Sequence, residues 1–386
     1  MASPRLALRR TAADERARPA AAPTTHGPRI VAVGGGTGLP VVLGGLADLL
    51  DADPAGTSGY HLTALVTVTD DGGSSGRLRR AFNIPPPGDV RNCLTALAKR
   101  DSRLADLLQH RFTGDADLSG HSVGNLLLLA LTQLTGDFST AVERLSDILA
   151  IRGRVLPSTR EAVSLVAEFE DGKVVEGETA IAARRKKIRR LWLARDVRPL
   201  PEAVEALVNA DAIVVGPGSL FSSVLPNLLV SGIAATISGV KAVRIYVANL
   251  MTEPGETDGL TLADHLDVIR DHVHLDLFDY VLVNRRLVSP SLALSYARRG
   301  SAPVLADAGG PVPGSASVVH RDLAWDSQGE KIRHSPPELA RAIWSLIAAG
   351  RPAPPAAAPG FPTAMDVLGG EASSPMPLAR LSGNTA

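Results

Sequence analysis

The chain has a single cysteine, Cys93, among 386 residues, which excludes an intramolecular disulfide and leaves no thiolate cluster for a metal. Aromatic residues are sparse at 4% and the formal net charge is zero, so the overall balance carries no mark of a nucleic-acid-binding protein. No uninterrupted apolar run reaches the ~18 residues of a simple membrane span. The opening MASPRLALRRTAADERA turns polar too early for the apolar region of a signal peptide. These absences point to the cytoplasm and to a protein without a transmembrane segment.

Low complexity is concentrated at the ends. Residues 1–29 hold six Arg against one Asp and one Glu, and residues 350–386 are mostly Pro, Ala, Gly and Ser. Such compositions bury too little apolar surface to offset ordering entropy. We read 1–28 as a disordered basic tail, 29–349 as one α/β domain, and 350–386 as a disordered Pro/Ala-rich tail.

Within the body, RIVAVGGGTGLPVVLGGLADLL runs from a short apolar stretch through glycines into the helical spacing of Val42, Leu46 and Leu49. Leu62 to Val68 is a second strand, and β-α-β order argues for parallel pairing through a crossover helix. RNCLTALAKR, SRLADLLQHRF, SVGNLLLLALTQLTG and FSTAVERLSDIL read as helices, with Leu126–Leu131 expected to cover the sheet. Beyond Pro157 the pattern shortens to strands, with Asp171-Gly172 as a hairpin turn. DAIVVGPGSLFSS, VRIYVANLM, FDYVLVN and PVLAD then predict four strands, and PPELARAIWSLI a final helix started by proline. The fold class is α/β: a doubly wound, mostly parallel, Rossmann-like sheet with a small antiparallel excursion near 160–195.

The chemistry concentrates at expected strand ends. Gly34, Gly35, Gly36 and Gly38 leave room for backbone N–H groups to converge on an anion, the next helix adds its positive end, and Thr37 adds a hydroxyl; a structural tight turn explains the same glycines. The loop fits neither the P-loop nor the strict dinucleotide pattern. Asp70 and Asp71 close the second strand, where they could hold Mg²⁺, a ribose hydroxyl or a protonated group, or form an Asx-capped turn. Ser74, Ser75 and Arg77 follow in what reads as a loop suited to phosphate. A stiff Pro85-Pro86-Pro87 segment positions Asp89, Arg91 and Asn92, or is merely a connector. His121, Ser122 and Asn125 sit at a helix start, where the histidine caps or is core.

The turn at Gly216, Gly218 and Ser219 repeats the first glycine loop, with Asn227 placed to anchor sugar or backbone. It is not a Gly-x-Ser-x-Gly elbow, so serine nucleophile chemistry is disfavoured. Asn249, Thr252, Glu253, Glu256 and Thr257 form another strand-end cluster, suited to sugar or metal, or in part to capping. Tyr296 with Arg298 and Arg299, and Arg333 with His334, offer a ring and cations to a base or diphosphate. The run Arg184–Arg190 reads as a solvated face or a partner contact.

These blocks carry a resemblance. GGGTGLPVVLGGL, VTVTDDGGSSGRLR, PPPGDVRNCLTAL, GHSVGNLLLLAL, GRVLPST, GPGSLFSSVLPNLLV and YVANLMTEPGETDG, spread over roughly 29–345, resemble the bacterial gluconeogenesis factor family, which is related to the 2-phospho-L-lactate transferases. The resemblance implies a cytoplasmic protein that binds UDP-N-acetylglucosamine or a related UDP-sugar and acts in cell shape and cell-wall precursor metabolism. In the transferases it implies a guanosine diphosphate product and Mg²⁺ near acidic residues; Asp70 and Asp71 occupy the matching motif. No deazaflavin-binding insertion is recognisable, so phospholactate transfer is not carried over and no catalytic residue is assigned. A homo-oligomer is expected, with a cell-wall precursor enzyme or a protein kinase as partner and no nucleic acid. The alternative is a Mg²⁺-dependent nucleotidyl or phosphoryl-group transferase.

Overall fold

The computed structural model describes residues 27–52, 60–99, 102–115, 117–305, 312–327 and 331–352. The two expected tails lie almost wholly outside these. Strand β1 (Arg29–Gly34) leads through the glycine loop into helix α1 (Gly38–Asp51), and β2 (His61–Val66) returns parallel to β1, with Ala32 beside Ala64. Helices α2 (Gly73–Phe82), α3 (Gly88–Leu97), α4 (Arg103–Gln109), α5 (Val123–Thr135) and α6 (Phe138–Leu149) follow, before β3 (Arg154–Pro157) joins β2.

An antiparallel insertion comes next: β4 (Leu165–Phe169), β5 (Val174–Glu176), α7 (Glu178–Arg184) and β6 (Ile188–Leu193), with β4 in the middle. It gives the basic run a structural explanation. Arg184 and Lys186 pair with Asp171, Lys187 with Glu170, and Arg189 with Glu168, so its charges are met largely across its own hairpin.

After α8 (Pro201–Val208), β7 (Ala212–Val215) pairs with the other edge of β1. A π-helical turn, Leu220–Val224, runs into α9 (Leu225–Leu228) and α10 (Ile233–Gly239). Then come β8 (Val243–Val247), α11 (Leu262–Val273), β9 (Tyr280–Asn284), α12 (Pro290–Ala297) and β10 (Ser317–Arg321). A ribbon of β11 (Ala324–Ser327) and β12 (Lys331–His334) precedes the last helix, α13 (Pro336–Ala349).

The main sheet has seven parallel strands in the order β10-β9-β8-β7-β1-β2-β3. Its central strands are buried on both faces, which is why they read as continuous apolar runs. Ile30 and Ala32 enter the core beneath α1, α3, α6 and α13, whereas Val31 and Val33 enter the core shared with α8, α10, α11 and the insertion. The result is three layers with helices on both faces. Among the described residues no single helix is long and apolar enough to cross a membrane.

Three expectations are corrected. The segment after Asp71 is not a loop but α2, with Ser74, Ser75 and Gly76 buried. The segment at Pro303 is not a strand; it makes one isolated bridge to Met251, and β10 takes the outer sheet position. A proline there lacks the N–H that a parallel ladder needs. Helix α5 packs chiefly on α2, α3, α4 and α6 rather than on the sheet, leaving Leu134 82% exposed.

Two adjacent glycines in α1 make a test of this packing. A Cβ at Gly45 would lie 2.3 Å from the Pro336 carbonyl oxygen, where α13 crosses α1, but at Gly44 its nearest such neighbour is 3.7 Å away. Gly45→Ala is therefore expected to destabilise by about 1–3 kcal/mol through overpacking. Gly44→Ala should stabilise by up to about 1 kcal/mol through helix propensity alone. Urea unfolding of both variants checks the opposite signs.

Candidate functional site

Between β1 and β7 the chain changes the direction in which it adds strands, first outward to β2 and β3, then back to β7 through β10. In open α/β sheets a crevice opens at the strand C-termini at such a point. Both glycine turns lie there. Gly36 adopts φ +60° and its N–H donates to Asp89 Oδ2 at 2.8 Å. Thr37, at the N-cap of α1, makes no side-chain cap bond, so the positive end of that helix has no side chain closing it. In the second turn Gly216 and Gly218 have φ +79° and +155°, around a cis Gly216–Pro217 bond.

The two turns touch. A Cβ on Gly38 would come within 2.2 Å of the Pro217 carbonyl oxygen, so only glycine permits this approach. Asn227, fully buried, donates its Nδ2–H groups to the carbonyls of Gly34 at 2.9 Å and Ser223 at 2.8 Å, strapping β1 to the π-helical turn. Asn249 holds Gly218 from both sides, accepting from its N–H and donating to its carbonyl, each at 2.9 Å.

A cleft of about 760 Å³ opens above these turns. It gathers Gly36, Thr37, Gly38, Asp70, Gly218, Ser219, Asn249, Thr252, Tyr296 and Arg333 from the sequence-based set. Gly34, Gly35, Gly216 and Asn227 do not line it; they support the two turns from behind. The remaining residues serve other purposes. Asp71 Oδ1 accepts from the N–H and hydroxyl of Thr179 at 2.8 and 2.6 Å, which ties it to the start of α7. Ser74 Oγ meets His121 Nδ1 and the Asn125 amide, both at 2.9 Å. Arg91 donates to Ser122, to Asn125 at 3.0 Å and to Asn92 at 2.7 Å. This network staples α2, α3 and α5 and makes His121 a core residue. Ser75 Oγ is packed against Gly88 at the start of α3, and Arg77 binds the Ser119 carbonyl. Asp70 Oδ1 accepts from the Gly72 N–H at 2.8 Å, so it forms the Asx turn while still lining the cleft.

Tyr296 is more constrained than a stacking platform. Its ring packs with Leu250, Met251 and Ala324, and its hydroxyl accepts from the Ile332 N–H at 3.1 Å. His334 is not the cation expected beside Arg333: burial lowers it to about 4.

Asp89, Glu178 and Glu253 join Asp70 on the cleft wall. Burial raises Asp89 to about 6, the Gly36 N–H opposing and Asp70 adding to the rise. Glu178 is raised to about 9, by burial first and then by Asp70, Asp89, Asp71 and Glu256. Glu253 is pushed to about 7 by burial and by Glu256, and Glu256, which accepts from the Ser219 hydroxyl, is also raised by burial. The exposed Arg299 and Arg333 also line the cleft. Glu178 was missed because it arrives on the insertion and carries no local motif; Asp89 had a signal in the rigid prolines before it.

Glu178 supplies a pH test. The unfolded chain deprotonates it near 4.5 and the folded chain near 9, so stability is greatest at the acidic side of that window and falls as pH rises through it. Asp89 and Glu253 act with the same sign; Asp89 has largely titrated by about pH 7, whereas Glu253 is about half titrated there and contributes equally to wild type and variant. Between pH 7 and 9 the melting temperature of Glu178→Gln should therefore decline less than that of the wild type. Parallel slopes in scanning calorimetry would refute this assignment.

Comparison with known proteins agrees with the fold. The family described as 2-phospho-L-lactate transferase CofD matches residues 30–323. A gluconeogenesis factor of Halalkalibacterium halodurans is 48% identical over 279 residues, covering 72% of this chain and 84% of that protein. The gluconeogenesis factor of Bacillus subtilis is 41% identical over 321 residues, covering 83% and 98%. A crystal structure of a Bacillus halodurans protein superposes with a TM-score of 0.77 at 43% identity, covering 82% of this chain and 99% of that one. The chain belongs to the gluconeogenesis factor family, which is related to the 2-phospho-L-lactate transferases.

Proposed function

We propose that this protein is a UDP-sugar-binding regulator, with UDP-N-acetylglucosamine or a close relative as ligand, that links carbon metabolism to cell-wall precursor synthesis and cell shape in the cytoplasm. The observation that carries the reading is the abutment of two strand-end turns beneath one cleft, with the side-chain-uncapped start of α1 between them. Backbone amides and a helix N-terminus favour a diphosphate there. Arg299 and Arg333 in the same lining supply charge-assisted donors. The names of the relatives support the metabolic half of the proposal. Binding would favour one arrangement of the cleft walls and so alter affinity for a partner enzyme or kinase.

The carboxyl groups oppose an anionic ligand. A phosphate about 4 Å from one carboxylate is repelled by roughly 4 kcal/mol at an effective dielectric near 20. Protonation of Glu178 relieves part of this, and a divalent cation would relieve more. Among the described residues no group of three or more His, Cys, Asp or Glu side chains is arranged for a metal, and Asp71 is committed to Thr179. Mg²⁺ characteristically takes one or two carboxylates, waters and ligand phosphates, however, so Asp70 with Asp89 fits it better than Asp70 with Asp71. Bound there, Mg²⁺ would neutralise diphosphate charge.

A second reading, a Mg²⁺-dependent nucleotidyl or phosphoryl-group transferase, is favoured by the family relationship and by carboxyl groups that retain protons near neutral pH. Titration calorimetry should detect saturable binding of UDP-N-acetylglucosamine, tighter with Mg²⁺ than with EDTA. Arg333→Ala should weaken it by about tenfold with little change in melting temperature, because the side chain is exposed. Absence of binding heat in both buffers removes the regulator reading; chromatographic turnover of the nucleotide-sugar would establish the transferase instead.

A further inference from the structure

The opposite end of the sheet holds a second cavity. A groove of about 690 Å³ opens at the N-terminal ends of β1, β2 and β3, beside the last turn of α8. β1 starts in this groove and ends at the first glycine turn; its six residues span about 20 Å at ~3.3 Å each, so the groove and the cleft are separate sites. Parallel register decides which side chains meet there. Arg29 lies level with His61, Val31 with Thr63, and Thr63 with Arg154. Residues level with one another on neighbouring parallel strands project to the same face, here the one that carries Val31 and Leu65 into the core shared with α8. Arg29 and Arg154 therefore flank β2 from either side, with His61 and the buried Thr63 between them. At the ~4.8 Å strand spacing β1 and β3 are roughly 10 Å apart, a gap that two long guanidinium side chains can close over one anion.

These cations have no internal counterpart. Among the described residues the side chains of Arg29, His61 and Arg154 make no hydrogen bond or ion pair, and Asp211 Oδ2 accepts instead from the Arg29 backbone N–H at 2.8 Å. Arg152, two residues before Arg154, is by contrast met by Asp48 at 2.8 Å and Asp51 at 3.0 Å. Two guanidinium groups and an imidazole share the lining of the groove with one carboxylate, Glu205. The helix side has the complementary chemistry. Asn209 gives its side-chain N–H to the Glu205 carbonyl at 2.9 Å, which leaves its Oδ1 and the Glu205 carboxylate as acceptors. Donors on the strands and acceptors on the helix suit a molecule with an anionic group at one end and hydroxyls at the other. Paired guanidinium groups match phosphoryl oxygens through two-point, charge-assisted bonds.

We propose that this groove is a second ligand site, for a small sugar phosphate whose phosphoryl group sits between Arg29 and Arg154 and whose hydroxyls donate to Glu205 and Asn209. Its volume falls in the range of small-molecule sites. A ligand that is anionic throughout would be repelled by Glu205, and an uncharged sugar would leave both arginines unmet. The inference does not depend on the nucleotide-sugar reading of the cleft, and failure of either leaves the other standing.

The test is titration calorimetry on the full chain with glucose 6-phosphate, inorganic phosphate and glucose as probes. The sugar phosphate should bind saturably and more tightly than inorganic phosphate, and glucose should give no measurable heat. Arg29→Ala and Arg154→Ala should each weaken binding of the sugar phosphate by about tenfold or more. Both side chains are exposed, so the melting temperature should stay unchanged and a loss through misfolding is recognisable. Arg154→Lys, which keeps the charge but not the planar fork, should recover only part of the affinity. Glu205→Gln separates a built site from a merely basic patch: in the site it narrows the preference for the sugar phosphate over inorganic phosphate, whereas in a patch both probes gain affinity alike. Unchanged binding in both arginine-to-alanine variants, equal affinity for the two phosphate-bearing probes, or no saturable binding of either overturns the assignment.

Discussion

The contact between Gly38 and Pro217 governs the rest of the site. Two strands that are neighbours in the sheet but more than 170 residues apart in sequence must deliver their turns to the same place, and the absence of a side chain at Gly38 is what allows it. Asn227 and Asn249 then occupy the carbonyls and N–H of the turn backbones, so that neither turn needs water to satisfy these groups. Both asparagines belong to the scaffold. Their amides hold the shape into which a ligand fits, and Asn249 alone of the two also reaches the cleft surface.

On that scaffold the charges are divided. Asp70, Asp89, Glu178 and Glu253 share the lining of the cleft with Arg299 and Arg333. Buried carboxyl groups crowded together hold protons that exposed ones would release, because desolvation and mutual repulsion both penalise the ionised form. Asp89 accepts from a backbone donor, the Gly36 N–H, which partly offsets its burial. The Gly36 N–H therefore already has an internal anionic partner. Any phosphate in the cleft must be held chiefly by other donors, or must take that one from Asp89.

Much of this frame was legible in the residues. Strands β1, β7 and β8 are mostly apolar because the parallel sheet is covered on both faces, and each ends in glycine or polar residues at the expected crevice. The antiparallel insertion announced itself through Asp171-Gly172. Misreadings arose where local composition and tertiary packing disagree. GGSSG has the composition of a loop, yet Ser74 is satisfied by His121 and Asn125, just before and within the start of α5 far along the chain, and the segment is helical. Asp71 looked like half of a metal pair; its partner, Thr179, lies 108 residues away on the insertion. Glu178 reaches the cleft by the same long-range route, for which periodicity and motif have no signature.

The cleft is bounded by two kinds of architecture. Its near rim grows out of a seven-stranded sheet whose strands are buried on both sides. Another part of its lining rests on the two-stranded β11–β12 ribbon, secured by the Tyr296 hydroxyl and the bond from the Ser335 N–H to Leu323. An isolated two-stranded ribbon is only marginally stable in water. The ribbon is therefore the part of the cleft wall that depends most on contacts from outside its own ladder, and Trp325 on it is half exposed.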